Sequence, residues 1–123
     1  MPQKQMDWDT VRRIARRLPE VEESTAYGSP ALKVRGKLLA CIPTHRSAEP
    51  GSVAVRIDLE RRAGLLEDAP EVYYVKDHYV NYPVVLVRLA RIQPEALQEL
   101  LGAAWRFVTS RSLRGKRSGG RSA

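Results

Sequence analysis

The stretch from Tyr27 to Ile42, YGSPALKVRGKLLACI, constrains the fold more than any other part of the 123-residue chain. Tyr27-Gly28-Ser29-Pro30 is a turn cluster, and Pro30 has no backbone N–H to give to a strand ladder. Leu32 and Val34 then alternate with Lys33 and Arg35, the period of two that marks a half-buried strand. Arg35-Gly36-Lys37 interrupts the run, with Gly36 free to take a positive φ. Leu38 to Ile42 returns as a second, more apolar strand. The pattern predicts a β-hairpin that turns Lys33, Arg35 and Lys37 away from the core.

The flanking segments predict what this hairpin packs with. Asp7 can cap a helix whose Val11, Ile14, Ala15 and Leu18 share one face, with Met6 placed to staple onto Val11. Pro19 stops that helix, and Glu20, Glu22 and Glu23 follow in a polar connection. Arg12, Arg13, Arg16 and Arg17 lie off the apolar face, where the nearby glutamates can neutralise them. After a loop at Pro43–Ser52, Val53, Val55 and Ile57 alternate with Ala54, Arg56 and Asp58 as a third strand. Asp58 can cap a helix over Leu59–Glu67 with Leu59, Ala63 and Leu66 as its apolar residues. Glu71 to Val75 is a short aromatic strand, and Val84 to Ala90 is apolar on both sides except at Arg88. Pro94 opens a last helix with Leu97, Leu100, Leu101, Ala104 and Val108 as its stripe. The predicted fold is α+β: a two-layer sandwich with an antiparallel five-stranded sheet, helices on one face, and element order α-β-β-β-α-β-β-α. Residues 6–109 form the single domain, between a flexible N-terminus at 1–5 and a tail at 110–123.

Charge sits unevenly on this frame. The net charge is +7, but the Gly- and Ser-rich tail holds five basic residues and no acid, leaving +2 for residues 1–109. Such a tail reads as disordered, and it can strengthen contact with any polyanion by releasing counterions. One cysteine, Cys41, allows no internal disulfide, and no apolar run approaches the roughly 20 residues that cross a bilayer. The expectation is a cytoplasmic protein without a membrane role.

If the helices cover one face of the sheet, Lys33, Arg35, Arg56 and Arg88 fall on the other, beside Cys41, Ala54, Val84 and Leu86. With Lys37, these cations are the candidate nucleic-acid-binding residues: Lys and Arg hold phosphates, and tyrosines stack on exposed bases. The bland alternative is the solvated side of an antiparallel sheet. A second candidate is a pocket at Tyr27, His78, Tyr79, Asn81 and Tyr82, which offers an imidazole, phenols and an amide to a ligand. Its alternative is a turn whose tyrosines pack over the sheet edge. Catalytic signals are weak, because Cys41 lies in an apolar strand where a free thiol is usually a small buried hydrophobe. Two histidines and one cysteine without paired spacing make no metal motif, and no cofactor-binding signature is present.

Taken in order, Leu18-Pro19-Glu20-Val21-Glu22-Glu23, Tyr27-Gly28-Ser29-Pro30, Lys33-Val34-Arg35-Gly36-Lys37 and the run from His78 to Leu89, HYVNYPVVLVRL, resemble the MmcQ/YjbR family of small bacterial proteins. The resemblance spans about residues 6–109. This chain has Leu39 where the family often has phenylalanine, and its basic tail is an extension. The resemblance implies an α-β(3)-α-β(2)-α sandwich akin to secretion-chaperone-like folds. It also implies DNA binding, by analogy with a phage transcription-factor domain of the double-wing type, and it supplies no catalytic residues. A different expectation from the same fold is a protein-docking or homodimer face, centred on Val84, Leu86, Cys41 and Ala54 with an arginine rim.

Overall fold

The computed structural model describes the backbone of residues 7–121 and the side chains of residues 7–110. Met6, the N-terminal segment and most of the side chains of the basic tail lie outside the described residues. Three helices and one six-stranded antiparallel sheet follow in the order α1 (Trp8–Ala15), β1 (Val21–Ala26), β2 (Ser29–Val34), β3 (Lys37–Cys41), β4 (Ser52–Arg56), α2 (Leu59–Asp68), β5 (Tyr73–Tyr74), β6 (Val84–Arg88) and α3 (Pro94–Arg121). A single 3-10 turn, Asp77–Tyr79, lies between β5 and β6. The strand order is β1-β2-β3-β4-β6-β5. The four strands before α2 form a meander, and β6 returns beside β4 after the α2 crossover.

The sixth strand corrects the predicted five. Val21–Ala26 was expected as a polar connection, yet it pairs along its whole length with β2, from Val21 opposite Val34 to Ala26 opposite Ser29. Four of its six residues are exposed, so it shows no apolar alternation and owes its conformation to β2. Ser29 and Pro30, expected in a turn, belong to β2; the Pro30 carbonyl accepts from the Ile42 N–H, and a missing N–H is tolerated at this end of the strand. The turn itself is Ala26-Tyr27-Gly28-Ser29. Its two central residues have positive φ, +54° at Tyr27 and +79° at Gly28, as a type I′ turn requires. Arg35 and Gly36 repeat the arrangement, with φ of +54° and +80°.

One face of the sheet carries the main core. Leu32 and Val34 of β2, Leu39 and Ala40 of β3, Val53 and Val55 of β4, and Val85 and Val87 of β6 pack there with Val11 and Ala15 of α1 and the Leu97, Leu100, Leu101, Ala104 and Val108 stripe of α3. Both capping predictions are met: Asp7 accepts from the Thr10 N–H and Asp58 from the Arg61 N–H. The face predicted for α2 is displaced. Leu59 is 51 % exposed and Ala63 is exposed, whereas Arg62 is buried and Leu65 and Leu66 are half-buried. The inward row is therefore Arg62, Leu65, Leu66, and a buried arginine had disguised it.

The other face has its own smaller cluster of Ala31, Cys41, Ala54, Tyr74 and Leu86. Ala31 and Lys33 fall on this side by alternation while Leu32 and Val34 face the helices; the register shift of the β2–β3 pair leaves Leu39 as the extra residue of β3, so Leu39 and Ala40 both reach the main core. Ala48 and Tyr79, from the loops after β3 and β5, pack against the cluster and close part of a face expected to be open.

Candidate ligand cleft on the second sheet face

Two loops wall this second face, and each is tied down by a side chain from the sheet or from α2. The loop after β3 is held by Tyr74 and Arg88. The Tyr74 hydroxyl accepts from the Glu49 N–H at 2.8 Å and lies 2.6 Å from Ser52 Oγ. Arg88 grips the Glu49 carboxylate through Nε and Nη2, both at 2.9 Å, and donates from Nη1 to the carbonyls of Pro70 and Glu71. Its guanidinium also lies 4.4 Å from the centroid of the Tyr74 ring. The Arg88 hydrogen bond holds the Glu49 carboxyl below the usual carboxylate range.

The loop after β5 is held by Arg62, which sequence reasoning did not single out. Its guanidinium donates to the backbone carbonyls of Tyr82 (2.9 Å), Val84 (3.1 Å) and Val80 (2.9 Å), with Tyr79 O at 3.5 Å. The residue is 9 % exposed, and burial lowers its pKa from the ordinary arginine value. A carbonyl cage of this kind satisfies a buried fork of donors without a carboxylate.

Between the walls lies a cleft of about 390 Å³. Leu38, Cys41, Ala54 and Val84 form its apolar floor, and Arg56 is the cation in its lining. Tyr27 comes from the β1–β2 turn, Pro43 and Thr44 from the loop after β3, and His78, Tyr79, Tyr82 and Pro83 from the loop after β5. No aspartate or glutamate contributes among the described residues. Tyr27 and Tyr82 are 84 % and 56 % exposed, so their rings stand at the rim. His45 and His78 join the two walls as a parallel stack with ring centroids 3.8 Å apart, and Tyr79 meets both edge-on. Burial, then the neighbouring His78 and Arg46, lower the pKa of His45. Burial pushes the Cys41 thiol and the Tyr79 phenol up.

The structure brings one predicted cation to the predicted pocket. Tyr27, His78, Tyr79 and Tyr82 line the same cleft as Arg56, while Asn81 is exposed outside its lining. Lys33 sits opposite Leu38 in the β2–β3 register, beside the cleft floor, and opposite Glu22 on the other side. Lys37 is exposed at the start of β3, but it stands opposite Val34 and so falls on the helix side of the sheet, not on the predicted cationic face. Arg35 leaves the face altogether: it stands in the turn and donates from Nε to Glu20 at 2.7 Å. Arg12 of α1 and Arg16 at its C-terminal cap both reach Glu23 of β1, at 3.3 and 2.6 Å. The loop residues Pro43 and Thr44 were not anticipated, since only the distant anchors Tyr74 and Arg88 fold that loop back.

The YjbR family model matches residues 16–107. The chain belongs to the YjbR family. Relatives of this YjbR chain include the uncharacterized proteins Mb2600 of Mycobacterium bovis and Rv2570 of Mycobacterium tuberculosis. Each is 35% identical over 120 residues, covering 86% of this chain and 91% of the relative. The crystal structure of Deinococcus radiodurans protein DR2400, a DUF419 domain, superposes with a TM-score of 0.72 at 22% identity. That match covers 91% of this chain and 85% of the other, and it supports the YjbR fold alone. Among the described residues, no helix is long and apolar enough to cross a membrane, and no group of three or more His, Cys, Asp or Glu is placed to hold a metal ion.

Proposed function

We propose that the protein binds nucleic acid through the second face of its sheet, as a non-enzymatic binding domain. DNA, in a cytoplasmic setting, is the expected target. The observation that carries this reading is the convergence of Arg56 with a rim of exposed tyrosines in a cleft free of carboxylates among its described lining. Arg56 and Lys33 hold phosphates, and the rim tyrosines meet bases. Arg35 and Arg88 have smaller parts, since their guanidiniums are engaged with Glu20 and Glu49. The buried Cys41 thiol, pushed toward its protonated form, supports binding rather than nucleophilic chemistry. The alternative docking face has less support, because its intended apolar centre is recessed below the two loops: Leu86 is fully buried, Cys41 and Ala54 are nearly so, and Val84 is half-buried on the cleft floor.

A titration of DNA and RNA at low and physiological salt tests the proposal. The arms are the full chain, a chain shortened after Thr109, and Lys33→Ala/Arg56→Ala. The expected result is binding that falls steeply with salt and is weakened in the double variant. Loss of all binding on shortening, with no effect of the double variant, would assign the affinity to the tail and refute the sheet-face site.

A further inference from the structure

Tyr27 is the least economical residue in the fold. It occupies the left-handed region at φ +54°, where non-glycine residues other than Asn, Asp and His are uncommon. Its ring is 84 % exposed and adds nothing to either core cluster. A strained backbone that holds a large apolar ring in solvent suggests use of that ring by something else. The rigid I′ turn fixes it at the mouth of the cleft. Tyr82 stands at the same mouth on a loop locked by the Arg62 carbonyl cage. Below them are an apolar floor and Arg56, and the volume of about 390 Å³ lies near the lower end of small-molecule sites, about 300–1,000 Å³.

Resting on the nucleic-acid reading, we infer that the cleft takes one unstacked nucleotide of a single strand, its base laid on the exposed tyrosine rings and its phosphate drawn toward Arg56. A π-face, an apolar floor and a cation match a base, a sugar and a phosphate. A paired base within a duplex cannot present its face to a ring at the rim without leaving the stack. The protein therefore selects single strands, and with little sequence preference, because every base has a π-face. Lys33, opposite Leu38 of the cleft floor, meets an adjoining phosphate.

The test is fluorescence anisotropy with one labelled oligonucleotide, single-stranded and annealed, on the full chain, Tyr27→Asn and Tyr82→Ala. The single strand is expected to bind at least tenfold more tightly than the duplex. Each tyrosine variant should weaken the single strand by roughly 5- to 100-fold and leave duplex affinity unchanged. Tyr27→Asn suits the turn, so its fold can be verified by an unchanged or raised unfolding midpoint. Equal affinity for both forms, or indifference to both variants, would overturn the inference and leave nucleic-acid binding standing. Absence of binding to any oligonucleotide at low salt would overturn both. A nucleoside monophosphate that shifts the amide resonances of Cys41 and Ala54 in the absence of strand binding would assign the cleft to free nucleotides instead.

Discussion

Tyr27 occupies a position that asparagine or aspartate usually takes in turns of its type. Tyr27→Asn should therefore raise stability, by up to about 1 kcal/mol, measured by urea unfolding, even as it removes a ring from the cleft rim. Gain in stability with loss of binding is a pattern that a purely structural tyrosine would not produce. Arg62 is the opposite case. Its donors satisfy carbonyls of the loop after β5, so Arg62→Leu leaves them without a partner and should lower stability by about 3 kcal/mol in the same assay. Arg62→Lys should recover part of this, since an ammonium reaches fewer of the carbonyls at once. Cys41 should resist alkylation in the native protein at neutral pH and react only on unfolding, because burial both hides the thiol and disfavours its thiolate.

At the level of elements, the loop after β3 is the part most dependent on charge state. The Glu49 carboxyl titrates lower in the folded chain than when unfolded, through its bond to Arg88. Its contribution is present above the unfolded carboxylate pKa and is lost as pH falls through the depressed folded value. His45, also depressed, works in the same direction: stability from its neutral form is present above the unfolded histidine pKa and is lost as acidification protonates it beside His78. Acidification should thus loosen this loop in two stages. Amide exchange at Ala48, whose N–H donates to the His45 carbonyl, would report it, and Glu49→Gln should remove the lower stage. None of this was legible locally. The loop is set by contacts 22 to 39 residues away, from Ser52 to Tyr74 and from Glu49 to Arg88. The same holds for β1, whose residues are polar and whose strand conformation comes from β2. By contrast, the β2–β3 hairpin, β4 and the stripe of α3 were readable, because each writes its buried side as an apolar period of two or 3.6, and β6 was readable as a short run apolar on both sides. The α2 face was misread since a periodicity argument counts arginine as outward-facing.

Seen as a whole, the molecule has one sheet with two unequal sides. The helix side holds the larger core, and the second side holds five buried residues under two loops. Substitutions on the two sides should therefore act differently. Leu101→Ala, at full burial in the main core, should cost about 2–5 kcal/mol by denaturant unfolding. Arg56→Met at the cleft should alter ligand affinity and its salt dependence more than stability. Candidate site residues were recognisable by chemical type before their positions were known, but only the fold brought the His78–Tyr82 loop to Arg56. Finally, the two ends of the sheet bear on how the molecule behaves in a crowded solution. An exposed strand edge is a template on which another chain can polymerise. Here one end is a two-residue strand, too short to seed a ladder, and the other is β1, whose outer positions include Glu22 and Glu23. Ending a sheet in carboxylates on one side and almost no strand on the other disfavours edge-to-edge addition of a neighbouring copy.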